Sequence, residues 1–187
     1  MQVSRHLMAT AIVLASGCSE LEKPAPFEFP ATITFDRQPL GKATSWTRGH
    51  IAGAVFVAPG EQLPNAFTQV GAIVSSEHLT STALQKWMRD QSIRAGEPLF
   101  HESGNENESC KVGGDPHRIF VAIGFCKTGD QRAACVEVDE TLDSQTFTSC
   151  MGGGRYGCFE DVCSAQWRNW ESSMELLADG VLKMPKP

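Results

Sequence analysis

Seven cysteines in 187 residues constrain this chain more than any other feature, because six of them crowd between residues 110 and 163. Cys110, Cys126, Cys135, Cys150, Cys158 and Cys163 form an even set in the C-terminal half. In an exported chain such a set reads as a disulfide framework, each bridge contributing about 2–4 kcal/mol by restricting the unfolded state. Six cysteines allow fifteen pairings, and the sequence leaves all of them open. Their separations of 16, 9, 15, 8 and 5 residues lack the repeated C-x2-C spacing of a structural zinc site. A redox C-x-x-C is absent as well.

Export is written at the start of the chain. Arg5 precedes Leu7–Ala15 (LMATAIVLA), an uninterrupted small and apolar run. It is too short to span a bilayer, which takes about 20 apolar residues, and fits the core of a secretory signal peptide. The run leads through Leu14-Ala15-Ser16-Gly17 into Cys18, the seventh cysteine. This segment resembles the lipobox of bacterial lipoproteins, with Ala15 in the place that leucine usually takes. The resemblance covers the first eighteen residues. It implies cleavage before Cys18, a diacylglycerol thioether on its sulfur and a further acyl chain on the new amine. Ser19 after the cysteine implies, by the same resemblance, sorting to the outer membrane. Each buried methylene adds about 0.8 kcal/mol, so two or three acyl chains hold a protein without any spanning helix. Glu20–Pro30 (ELEKPAPFEFP) carries three prolines and alternating charge, a composition that disfavours helix and ladder and suits a semi-extended tether. The expected organisation is a signal peptide over 1–17, a lipidated cysteine and tether over 18–30, and one globular domain over 31–187.

The net charge is −6, and cleavage before Cys18 would remove only Arg5 among the formal charges. That balance argues against nucleic acid or an anionic lipid headgroup as the main ligand and is compatible with a basic protein partner.

Alternation in Ala31–Arg37 predicts a strand ended by Gln38-Pro39-Leu40-Gly41, and His50–Ala58 and Val70–Ser75 predict two more. Ser76 is placed to cap a helix over 77–91, whose Leu79, Ala83, Leu84, Trp87 and Met88 share one face. Glu102–Pro116 is acidic, glycine-rich and aperiodic and reads as a surface loop pinned by Cys110. Arg118–Cys126 and Ala133–Val138 flank a Gly129-Asp130 turn and predict an antiparallel hairpin, with Gln145–Cys150 as a third strand. A helix over 161–182 places Cys163, Trp167, Trp170, Met174, Leu177, Ala178 and Val181 on one face. The expected fold class is α+β: a mostly antiparallel sheet, two packed helices, and a disulfide-stapled C-terminal half.

Signatures of catalysis are sparse. Gly152–Gly157 (GGGRYG) is bracketed by Cys150 and Cys158 and reads as a disulfide loop rather than a phosphate cradle. A G-x-S-x-G nucleophile elbow is missing. His101, Glu102, Glu106, Glu108, Asp115 and His117 gather imidazoles and carboxylates within one segment, but not at H-E-x-x-H or EF-hand spacing. The favoured expectation is a membrane-anchored envelope lipoprotein acting as a noncatalytic binding or accessory module for an envelope or secreted protein, with no cofactor. The alternative is an envelope enzyme or metal-dependent binding protein using the 100–117 segment, with His101 and His117 as candidate ligands and His50 or His78 nearby.

Overall fold

The computed structural model describes residues 27–63, 65–91, 97–115, 118–152 and 157–185. Cys18 and His117 lie outside them. Strands β1 (Thr32–Phe35), β2 (Gln38–Arg48), β3 (Ile51–Val57) and β4 (Thr68–Ser75) run as one meander. Helix α1 (Ser81–Gln91) leads to a second, β5 (Leu99–Gly104), β6 (Glu108–Asp115), β7 (Arg118–Thr128) and β8 (Ala133–Leu142), followed by α2 (Ser144–Gly152) and α3 (Cys158–Leu182). The meanders join where β4 pairs β8, giving an eight-stranded antiparallel sheet in the order β1-β2-β3-β4-β8-β7-β6-β5. The α+β expectation holds, with the sheet as the dominant element.

Residue alternation splits the sheet into two working faces. Ala54, Phe56, Val70, Val74, Val121, Ile123, Val136 and Val138 point to the side covered by α3 and form the main core. Helix α3 buries Cys163, Trp170, Met174, Ala178 and Val181, a helical stripe like the one expected. Ile51, Ile73, Cys126, Ala133 and Cys135 point the other way and pack under Leu84 and Met88 of α1. Fully burying each such apolar side chain stabilises the fold by about 1.5–3 kcal/mol, so sandwiching the sheet between helices makes the central strands its most strongly held part.

The sulfurs pair as Cys110–Cys163, Cys126–Cys135 and Cys150–Cys158. The first staples α3 to β6, the second ties β7 to β8, and the third closes the glycine segment ahead of α3. Residues 153–156 of that segment lie outside the described residues.

Several local expectations are corrected. Helix α1 begins at Ser81 rather than 77, because Thr80 caps it: its hydroxyl accepts the Ala83 N–H at 3.2 Å and its carbonyl the Leu84 N–H at 3.1 Å. Ser76 instead donates to the His50 carbonyl at 3.2 Å. Helix α3 begins at Cys158, three residues before the expected 161. Gln38–Gly41 is not a strand end but the start of β2, since the chain reverses at Asp36 and Arg37, both in the left-handed region with φ of 45° and 63°. Gln145–Cys150 is helical, not a strand: the Asp143 carboxylate accepts the Thr146 N–H at 2.8 Å and the Thr146 hydroxyl at 2.6 Å, capping α2. The expected loop at 102–116 is largely the β5–β6 hairpin, with Cys110 and Val112 turned into the main core. Phe27 and Phe29, assigned to the tether, are buried in that core at 8% and 3% exposure, so packing starts before Ala31.

Candidate functional site

The described part of the 100–117 segment, which carries the candidate metal or catalytic residues, is the β5–β6 hairpin and not an open loop. His101 stands on edge strand β5 with its ring 3.1 Å from the Ser103 hydroxyl. His50 meets Glu77 at 2.9 Å on the surface, with more than half of each side chain exposed. Among the described residues no three His, Cys, Asp or Glu side chains are grouped to hold a metal ion.

Polar groups gather instead at two places the sequence reading passed over. On the α1 face, the register sets Lys111, Ala122, Asp139 and Gln69 in one row, and Ser109, Gly124, Glu137 and Gly71 in the next. Gln69, Ser109, Lys111, Glu137 and Asp139 are all buried. Gln69, Glu137 and Asp139 each have interaction partners, as buried polar groups require. This row acts as an internal polar seam of the sheet.

The second place is open to solvent. A pocket of about 290 Å³ lies between the β1–β2 turn, the start of β4, the end of β8 and α3. Three carboxylates line it: Asp36 from the left-handed turn, Glu61 from the β3–β4 connection, and Glu140 from β8. Aromatic rings of Phe35, Phe67 and Trp170 complete the wall, and among the described residues no Lys, Arg or His belongs to the lining. Phe67 is 53% exposed, a large apolar side chain left at the rim.

The register explains how Glu140 gets there. It continues the alternation Ala134, Val136, Val138 on the α3 face of β8, so a carboxylate occupies the next core-facing position. Gln166 of α3 donates to its Oε2 at 2.9 Å. Burial, and secondly the Asp139 charge, hold the Glu140 carboxyl above the usual carboxylate range, while the Gln166 bond acts in the opposite direction. Glu61 adds a second desolvated oxygen: its Oε2 is buried and accepts no hydrogen bond among the described residues. The chemistry of the pocket is thus that of under-compensated negative charge against aromatic faces, suited to an organic cation.

Compared with protein-family models, with curated proteins and with solved structures, the chain has no significant match.

Proposed function

We propose that this protein is a bacterial envelope lipoprotein, anchored in the outer membrane through Cys18, whose body is a noncatalytic binding module for an envelope or secreted protein partner. The observation that carries the binding reading is the pocket of Asp36, Glu61 and Glu140, walled by Phe35, Phe67 and Trp170, with no basic lining residue among the described residues. The ligand that fits it is a lysine or arginine side chain of the partner. An ammonium or guanidinium there would give the bare Glu61 oxygen a donor and favour the charged form of Glu140. Stacking on the rings adds about 0.5–2 kcal/mol, more as the site is desolvated. A net charge of −6 would steer a basic partner toward this surface. The resemblance of residues 14–18 to a lipobox supports the anchor, and the three bridges suit an oxidising compartment. No helix among the described residues is long and apolar enough to cross a membrane.

The test is an NMR titration of the purified protein with N-acetyl-arginine amide, N-acetyl-lysine amide and the neutral isostere N-acetyl-citrulline amide. The expected result is a saturable shift of the Trp170 indole N–H with both cations, absent with citrulline and lost in Glu61→Gln/Glu140→Gln. Equal shifts with citrulline, or none with either cation, would refute the cation reading.

A further inference from the structure

A second cavity, about 310 Å³, opens between β1 and the C-terminal half of α3. Phe29, Pro30, Ile33, Leu177, Val181 and Met184 are among its lining, and among the described residues no charged side chain is. On its border Leu176 is 74% exposed, an unusual state for a leucine on a helix whose opposite face fills the core. Resting on the reading of Cys18 as a lipid anchor, we propose that this groove faces the bilayer and that the body docks on the membrane surface through Leu176 and the groove around it.

The occupant follows from where the chain enters. The Phe27 ring lies under the Arg132 guanidinium, 5.7 Å from its centroid, and the same guanidinium donates to the carbonyls of Leu182 and Met184. Chain entry and the end of α3 are therefore clamped at one corner, which is also the corner of the groove. Cys18 is nine residues before Phe27, so even a fully extended link reaches only about 30 Å. A lipid on Cys18 holds the groove within that distance of the membrane at all times, and a short tether turns a weak contact into an intramolecular one at millimolar effective concentration. Lys183 is exposed beside Met184, and Glu28 and Glu175 are exposed beside Phe29 and Leu176, so the contact is an apolar one and not a pairing with headgroup charge.

Hydroxyl-radical footprinting tests the proposal. The lipidated protein, its acyl mass confirmed first, is placed in phosphatidylethanolamine–phosphatidylglycerol nanodiscs and compared with soluble Cys18→Ser protein exported behind a non-lipoprotein signal. Leu176 and Met184 should oxidise at least threefold more slowly in nanodiscs, while Trp46 and Trp87, on the α1 face, keep their rates. Leu176→Glu, at a position too exposed to disturb folding, should restore the Met184 rate. Equal rates at Leu176 and Met184 in confirmed lipoprotein would overturn the docking pose while leaving the anchor standing. Slow oxidation already in the soluble form would show the groove covered by protein, and overturns it too. A product without acyl mass would remove the lipoprotein reading itself, and the proposal with it.

Discussion

Replacing Cys110 and Cys163 together by alanine should destabilise the protein more than removing either of the other bridges. The Cys110–Cys163 bridge spans 53 residues, against 9 for Cys126–Cys135 and 8 for Cys150–Cys158. Loop-closure entropy grows with the logarithm of that length, giving about 4 kcal/mol for the long loop and about 2.5 kcal/mol for each short one. Cys126 and Cys135 are buried at least as deeply as Cys110 and Cys163, so the difference rests on loop entropy and not on packing. The β7–β8 hairpin also tends to bring Cys126 and Cys135 together in the unfolded ensemble, which reduces what their bridge contributes. At roughly 2–4 °C per kcal/mol for a domain of this size, the long bridge corresponds to a fall in Tm of about 8–16 °C. Urea unfolding under oxidising conditions, followed by tryptophan fluorescence, measures the difference, and the m-value should rise as the unfolded chain expands. A Cys110/Cys163 variant no less stable than the Cys126/Cys135 variant would refute the reasoning that α3 is held by a long-range staple.

Other expectations test other parts of the account. Glu140 has a raised carboxyl pKa in the folded state, so its proton stabilises the fold below the ordinary value of 4.5 and that stability is lost as pH rises through the raised value. Glu140→Gln should flatten the decline across that window and leave stability at neutral pH equal or higher; a steeper decline in the variant contradicts the assignment. Arg132 is 7% exposed and ties the end of α3 to Phe27, so Arg132→Met should cost about 2–4 kcal/mol. Amide exchange over residues 179–184 should rise with that loss, and unchanged exchange there would argue against the clamp. Trp46 lies flat over Gly53, where an added Cβ would come within 2.3–2.8 Å of the indole. Gly53→Ala should cost about 1–3 kcal/mol and alter the near-ultraviolet circular dichroism of the Trp46–Trp87 pair, whose rings are 5.1 Å apart; an unaltered spectrum would contradict that packing.

The parts of the fold legible in the sequence are those where periodicity and burial agree. Helix α3 announces itself because Cys163, Trp170, Met174, Ala178 and Val181 keep helical spacing through most of its 25 residues. The buried β3, β4, β7 and β8 read as apolar runs bounded by turn residues. Strand β2 was hidden because Gln38-Pro39-Leu40-Gly41 carries turn chemistry, while the turn itself uses Asp36 and Arg37 rather than Asn-Gly. Strands β5 and β6 were hidden because a sheet edge tolerates acidic and glycine residues, leaving only Cys110 and Val112 to mark a buried face. At Gln145–Cys150 the β-forming composition misled, since capping by Asp143 outweighs the weak intrinsic preference of Thr and Phe. The acidic pocket was not legible at all: Asp36, Glu61 and Glu140 are more than a hundred residues apart end to end, and only the β4–β8 junction gathers them. The one trace was Glu140 itself, a carboxylate on the core-facing alternation of β8.

The proposed anchor and the proposed membrane docking both require a lipidated Cys18, so the most direct measurement is the intact mass of the chain. The full chain is expressed with its own signal in a bacterial host, extracted in detergent, and weighed before and after reduction and alkylation. The account expects a product beginning at Cys18 with two or three acyl chains and six thiols that label only after reduction. A product without acyl groups, or with thiols that label before reduction, would contradict it.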